Sequence, residues 1–243
     1  HDAAINVMRR LIQSSGAEVI HLGHDQSAKA VVDCAVQEDA HAVALTSYQG
    51  GHVEYLTYIR QLLDEAGCAH VRIFAGGGGT ITPPEIRTLH QSGIEKIYSP
   101  DDGRSMGLMG MIHHLMENAS KADLIDDKRL ASLDGPVTAD DMAKVGLLLT
   151  LSETADDSAF KATLDKCRSS QKEVPVIGFT GTGGAGKSSL LDEVMLRILR
   201  DNPDKKICLL CVDPTRKRTG GALLGDRIRM NSLSNNDLFM RSL

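Results

Sequence analysis

The stretch Gly181-Thr182-Gly183-Gly184-Ala185-Gly186-Lys187-Ser188 has the form G-x-x-x-x-G-K-S. Its flanks have the patterns that such a loop needs. Val174 to Phe179 is a short apolar run that predicts a buried strand. Ser189 to Leu199 predicts a helix with Leu190, Leu191, Val194, Leu196 and Ile198 on its apolar face. Glycines let the backbone curl so that successive N–H groups aim at phosphate oxygens, and the helix N-terminus adds partial positive charge. Lys187 would reach the β- and γ-phosphates as a catalytic cation, and Ser188 would ligate Mg²⁺. The candidate nucleotide-binding residues are therefore Gly181, Gly183, Gly184, Ala185, Gly186, Lys187, Ser188 and Ser189. A glycine-rich turn without a ligand is the plainer alternative, and the strand and helix on either side argue against it.

The rest of the chain sets bounds on what that loop serves. At 243 residues it has length for one large domain or two ordinary ones. Apolar residues at 42%, charged residues at 24% and a mean hydropathy of -0.15 describe a soluble globular protein. Trp is absent and aromatics make up 3%, so no stacking platform for nucleic acid is expected. A net charge of -5 argues against general polyanion binding while permitting a local phosphate site. Five cysteines (Cys34, Cys68, Cys167, Cys208 and Cys211) lack paired metal spacing. Cys208 and Cys211 fall in the apolar run Ile207 to Val212, which reads as a buried strand, so core thiols in a reducing cytosol are expected. No apolar stretch approaches the ~20 residues of a membrane span and no signal peptide is visible, which predicts a cytoplasmic protein without a membrane partner.

Residues 1–118 alternate helix-like and strand-like segments: helices at Ala3–Gln13, Ser27–Gln37, Val53–Ala66, Pro83–Gln91 and Met106–Asn118, strands at Glu18–Leu22, Ala40–Thr46, Val71–Ala75 and Lys96–Tyr98. That order predicts an α/β fold with a doubly wound parallel sheet, whose ligands bind beyond the carboxyl ends of the strands. The segments to inspect are then Gly23–Gln26, Thr46–His52, Gly76–Thr82 and Ser99–Arg104. Residues 119–172 are richer in charge and nearly free of glycine, with amphipathic stretches at Ala139–Leu151 and Ala155–Cys167, and read as a helical linker. Residues 173–243 begin a second α/β unit, of which the later strands would lie beyond Leu243. The first 118 residues carry 8 basic and 14 acidic groups against 19 and 18 in the remainder, so the negative balance sits in the first unit. A chain that opens at His1 in a helical pattern and stops soon after a phosphate loop is expected to be a fragment, with the first strand of its first domain missing.

Four consecutive glycines, Gly76 to Gly79, follow a strand and precede Pro83 at a helix start. The run is not G-x-G-x-x-G, because Ile81 occupies the third glycine position. The spacing of His1, Thr46-Ser47-Tyr48 and Gly76-Gly77 resembles the cobalamin-binding module of the adenosylcobalamin-dependent mutases. The trailing Gly50-Gly51-His52 resembles that family's A-G-H. In the family, a D-x-H-x-x-G loop supplies the lower cobalt ligand, an S-x-L segment follows, and then a Gly-Gly pair. Here Thr46 stands at the hydroxyl position, Tyr48 at the Leu position and Ala4 at the glycine position. The Asp of the first motif would precede His1. The resemblance implies adenosylcobalamin as cofactor, His1 on cobalt, and Asp2, Thr46, Tyr48, Gly76 and Gly77 around its nucleotide tail. An imidazole suits cobalt when a carboxylate holds its other nitrogen. His21, His24, His41 and His52 are expected at the surface or the rim.

After the phosphate-loop helix, Lys206 to Val212 reads as a strand ending in Asp213-Pro214-Thr215-Arg216. Then come Arg218-Thr219-Gly220-Gly221 and Leu224-Gly225-Asp226-Arg227-Ile228-Arg229-Met230. This block resembles the switch region of the GTPases that chaperone cobalamin mutases. That likeness implies GTP as nucleotide, Asp213 in a catalytic role, and Asp213 and Asp226 near Mg²⁺. A cobalamin module, a helical linker and this GTPase in one chain resemble the fused cobalamin-dependent acyl-CoA mutases. What the resemblance implies is a radical interconversion of isobutyryl-CoA and n-butyryl-CoA in a homodimer, the acyl-CoA being held by a downstream barrel and the GTPase gating cofactor loading or protection. A methylmalonyl-CoA mutase relative and a non-catalytic cobalamin-binding chaperone or sensor remain the alternatives.

Overall fold

The computed structural model describes residues 2–168, 174–212, 223–224 and 227–243. Its first unit runs α1 (Asp2–Ser14), β1 (Val19–Ile20), α2 (Ala28–Gln37), β2 (Ala42–Thr46), α3 (His52–Glu65), β3 (Arg72–Gly76), α4 (Pro83–Gln91), β4 (Lys96–Tyr98) and α5 (Pro100–Ala119). Strands β2, β3 and β4 form a parallel sheet in that order, with Thr46 level with Gly76 and Gly76 level with Tyr98. Helix starts follow local chemistry. The Ser27 hydroxyl accepts from Ala30 N. Thr82 donates its N–H to Glu85 at 2.7 Å, and Ser99 does the same to Asp102 at 2.8 Å, each just ahead of a proline in the first turn. The alternation expected over residues 1–118 is thus present, with two differences. Helix α5 begins at Pro100, six residues before the expected Met106, and its regular geometry is interrupted at Gly107 (φ 64°). Strand β1 pairs in parallel with β6 (Leu223–Leu224) from the second unit rather than with β2.

The core of this unit lies between the sheet and its helices. Val31 and Val32 of α2, Leu56, Ile59 and Leu63 of α3, Ile73 of β3, Leu89 of α4 and Ile97 of β4 are all buried. Removing each such side chain from water contributes roughly 1.5–3 kcal/mol. The middle strand β3 is buried on both faces, as a strand flanked on either side and covered by helices must be.

Between the two units lie α6 (Asp127–Ala131), α7 (Met142–Thr154) and α8 (Asp157–Cys167), sharing a small core of Leu133, Leu147, Leu151 and Cys167. Helix α7 packs on the end of α2 at Gly146, where a Cβ would come within 2.7 Å of the Val36 carbonyl oxygen. The second unit holds α9 (Lys187–Asp201), β5 (Ile207–Cys211) and β7 (Leu238–Ser242), the two strands parallel, around Met195, Leu199, Leu209, Met230, Leu238 and Met240. Two expectations fail here. The run Val174 to Phe179 is not a strand, and Val174, Val176 and Ile177 are 73%, 91% and 72% exposed. Among the described residues no strand lies beside it, so neither a ladder nor a covering face is formed. Cys208 is exposed rather than a core thiol, because β5 buries only Leu209 fully. Cys34 and Cys68 do lie in the core, and burial pushes both thiols up to about 11.

The three parts meet at the carboxyl end of α2, where Gln37, Glu38 and Asp39 are all buried. Asp39 accepts from Arg129 at 2.6 Å and from Thr150 at 2.7 Å, and His70 lies 3.5 Å away. Burial alone would raise the Asp39 carboxyl. The nearby His70 imidazole, the hydrogen bonds from Thr150 and Arg129, and the Arg129 charge hold it below its ordinary value instead. A folded value depressed below the unfolded one gives stability that is present above the unfolded pKa and lost as the pH falls through the folded one. We expect Asp39→Asn, which removes the charge facing a buried guanidinium, to cost about 3 kcal/mol in chemical denaturation at pH 7. The gap between parent and variant should narrow as the pH drops below that of an ordinary Asp carboxyl, and a gap independent of pH would deny the carboxylate this role.

Candidate cofactor and nucleotide sites

The carboxyl ends of β2, β3 and β4 place Thr46, Gly76 and Tyr98 in one row across the sheet. Ser47 N donates to the Gly76 carbonyl at 2.9 Å, which holds the first loop against the second. Beyond Gly76 the chain turns tightly, with Thr80 donating its N–H at 3.0 Å and its hydroxyl at 2.7 Å to the Gly77 carbonyl. The glycines have separate reasons. At Gly77 a Cβ would lie 2.6 Å from Ser47 O and 2.7 Å from Ile81 Cγ1, so the loop's own packing excludes it. Gly78 (φ 56°) lies under the Tyr48 ring, 2.6 Å from where its Cβ would be. At Gly76 the nearest atom to a Cβ is Tyr98 O at 3.7 Å, an ordinary contact, so nothing within the protein demands glycine there. Gly50 and Gly51 face open space. Bare backbone at the mouth, with Thr46, Ser47 and Thr80 supplying polar atoms, suits the polar, bulky nucleotide tail of a cobalamin.

Thr46, Tyr48, Gly76 and Gly77 are therefore brought together. His1 lies outside the described residues, as does the side chain of Asp2, the first residue of α1. Three features of this edge were not read from the sequence. The Tyr98 hydroxyl lies 3.0 Å from His114 Nδ1 and 3.2 Å from Met111 O, and burial, then the Asp102 charge, push its phenol upward. The last residue of a strand at this edge is the position that could have flagged it. The Thr80 hydroxyl spans both loops, 3.3 Å from Ser47 O. His52, expected at the rim, is buried, with Nδ1 3.2 Å from Gln49 O and Nε2 3.4 Å from Glu85. Its place in the first turn of α3 turns the ring inward, toward the start of α4.

In the second unit, Gly181 to Gly186 form a continuous exposed loop that enters α9 at Lys187. Gly186 caps the helix at φ 81° and Gly184 sits at φ 77°, both in the left-handed region that only glycine enters readily. Lys187 Nζ donates to the carbonyls of Gly181 at 2.8 Å and Thr182 at 2.9 Å, so its ammonium is held over the loop. Ser188 and Ser189 follow in the first turn of α9, whose orphan N–H groups and dipole favour an anion. Asp213 and Asp226 lie outside the described residues.

Each of the two sites lies within a stretch that matches a known family. Residues 1–98 match the family described as B12 binding domain, and residues 145–243 match Methylmalonyl Co-A mutase-associated GTPase MeaB. The second match begins within α7, in the stretch expected as linker. The whole chain aligns with a protein named fused isobutyryl-CoA mutase in Geobacillus kaustophilus at 48% identity, and with proteins of that name in Nocardia farcinica and Cupriavidus metallidurans at 49%. Over its full length the chain is similar to the fused isobutyryl-CoA mutases. It spans 23%, 22% and 22% of those three relatives' own lengths. Among the described residues no helix is long and apolar enough to cross a membrane.

Cobalamin binding and bare protein stability can be separated at the two glycines. Gly77→Ala should destabilise the protein without cofactor by about 1–3 kcal/mol, because a buried overlap has to be relieved. Gly76→Ala should leave the melting temperature nearly unchanged and still lower cobalamin affinity in an absorbance titration. Full affinity in Gly76→Ala would mean that the tail does not pass over that backbone.

Proposed function

We propose that this chain is the cofactor-binding and nucleotide-binding part of an adenosylcobalamin-dependent acyl-CoA mutase that interconverts isobutyryl-CoA and n-butyryl-CoA. The observation that carries the reading is the presence, in one chain aligned throughout with the fused mutases, of a Thr46–Gly76 cofactor edge and a phosphate loop. Cobalt–carbon homolysis is the chemistry the cofactor supplies when bound. The chain's own residues bind and orient it. His1 would ligate the cobalt, the Thr46 hydroxyl would hydrogen-bond the cofactor's benzimidazole, and Tyr48, Gly76 and Gly77 would hold its nucleotide tail. Acyl-CoA binds on a barrel outside this chain, in a homodimer.

The second unit is a GTPase that gates loading or protection of the cofactor. Successive N–H groups of residues 183–189 hold the phosphates. Lys187 leaves the carbonyls of Gly181 and Thr182 to neutralise the β- and γ-phosphates, and Ser188 ligates Mg²⁺ with Asp213 and Asp226 near it. An electrostatic clamp of this kind acts on charge that builds up during phosphoryl transfer.

Two variants of the full-length protein test the assignments. Lys187→Ala should abolish GTP hydrolysis while cobalamin, added without nucleotide, binds with unchanged affinity, since Lys187 contacts the phosphate loop and not the cofactor edge. Unchanged turnover would remove the phosphate-loop assignment. In the parent protein, absorption spectra should show the benzimidazole displaced, and His1→Ala should weaken binding and change the spectrum. A spectrum with benzimidazole still coordinated, insensitive to His1→Ala, would leave His1 as a surface residue.

A further inference from the structure

Helix α9 carries the phosphate loop at its first turn and a buried carboxylate, Asp192, one turn further on. Asp192 Oδ1 accepts from Ser232 N at 2.8 Å, and Oδ2 accepts from the backbone and side-chain nitrogens of Asn231, both at 3.1 Å. Burial would raise this carboxyl, but its hydrogen bonds with Ser232 and Asn231 lower it below the ordinary Asp value. A short turn, Asn231–Ser234, is in this way hung from α9. The residues just before it reach the other unit. Met230 N donates to Arg227 O at 3.2 Å, closing a second short turn, Arg227–Arg229. The buried Arg227 guanidinium then donates to Glu38 Oε1 and Gln37 Oε1, each at 2.8 Å, and to the Met240 carbonyl. Glu38 also accepts from Ser242 N at 3.0 Å, and Gln37 accepts from Met240 N at 3.2 Å.

The neighbouring residue grips the opposite end of α2. Ile228 Cδ1 lies 2.7 Å from where a Cβ of Gly23 would be, in the loop that leads from β1 to Ser27, the residue capping the start of α2. Consecutive residues Arg227 and Ile228 therefore touch the cobalamin-binding domain after the last residue and before the first residue of one helix. That helix spans roughly 15 Å as a rigid rod. Its leading loop, Gly23–Gln26, lies against the first turn of α3, which follows β2, and the Gln26 carbonyl accepts from the Tyr55 hydroxyl there at 2.9 Å. From α9 to α2 the path consists of direct hydrogen bonds between Asp192 and Asn231–Ser232, and between Arg227 and Gln37–Glu38.

We propose that Asp192, the turn segment Arg227–Ser232 and Glu38 form a mechanical linkage through which occupancy of the phosphate loop changes cobalamin affinity, α2 being the element that moves. The inference rests on the reading of the second unit as a GTPase that regulates the cobalamin site. Its components are positioning residues that touch neither ligand. A buried ion pair that only stabilised the interface would affect folding and leave the two binding equilibria independent. A linkage makes each ligand change the affinity of the other by one common factor.

The test titrates adenosylcobalamin into the full-length protein with GDP and with a non-hydrolysable GTP analogue. In the parent the two affinities should differ by a factor of roughly 5–150. Glu38→Gln and Asp192→Asn should each bring that ratio close to one while nucleotide and cobalamin, added singly, bind within about two-fold of the parent. The double variant should do no more than either single one, because both cut the same chain. Variants that keep the parent's ratio would overturn the linkage and leave the GTPase reading intact. A parent ratio of one would sink the regulatory reading itself, and the linkage with it. Should either variant fail to fold, hydrogen exchange in the parent decides. Swapping GDP for the analogue should change amide protection over residues 28–38, and identical protection there would overturn the proposal.

Discussion

Two consecutive carboxylates, Glu38 and Asp39, are buried at the carboxyl end of a helix, where the helix dipole is already negative. An uncompensated charge in that position would cost several kcal/mol, so the surrounding structure has to deliver cations to it. Arg129 comes from the helical middle of the chain and Arg227 from the second unit. A third buried guanidinium, Arg241, reaches Thr150 at 3.2 Å and Glu153 at 3.0 Å beside them. The helical middle and the second unit thus commit three guanidinium groups to one small volume. Replacing such pairs with apolar residues is often neutral or stabilising in other proteins, which makes geometry their main yield here. The pairs fix which face of α2 meets α7 and β7, and Gly146 removes the side chain that would hold α7 away.

What could be read from the sequence was whatever is decided locally. Helix α4 and strand β4 fall on the expected residues because Thr82, Pro83 and Glu85 mark a helix start and Lys96–Tyr98 is a short apolar-centred strand between turns. The phosphate loop was legible from glycines and Lys187 alone. An apolar run, by contrast, states that a segment can be buried and not what will bury it. Val174–Phe179 and the outer face of β5 were read as core for that reason, yet the described residues put nothing over them. The junction was invisible for a related reason, since Glu38 and Ser242 are 204 residues apart and neither belongs to a motif. Early onset of α5 is a smaller case. Pro100 could have been read as a first-turn proline, but Gly103 and Gly107 masked the helix behind it.

The cofactor edge shows the same division in finer detail. Spacing placed Thr46 and Gly76 on adjacent strands, and the register sets them level. Spacing could not say why four glycines are needed, and the answer differs along the run. Gly77 and Gly78 are excluded from bearing side chains by Ser47 and Tyr48, which belong to the protein, while Gly76 is not. Only Gly76 therefore carries an argument for a ligand from space alone. Tyr98 and Thr80, which line the same edge, entered through the sheet and the turn rather than through any pattern of residue types.

A parallel sheet has two chemically distinct edges, and this domain assigns them different tasks. Loops at the carboxyl ends of β2 and β3 are built largely from glycine, Thr and Ser, with few charges, and so offer bare backbone and neutral hydrogen-bonding groups. The opposite edge begins at Asp39, which precedes β2, and His70, which precedes β3, and it is where the charged contacts to the rest of the chain converge. Separation of this kind lets the interface be charged and rigid without altering the electrostatics of the cofactor edge. It also favours communication between the edges along a helix, because the strands between them are tied into one parallel ladder through β3. Of the helices that span the domain, α2 is held at its far end by the buried Gln37–Asp39 cluster. At its near end a loop lies against the first turn of α3, which follows the β2 loop of the cofactor edge, so α2 borders both tasks at once.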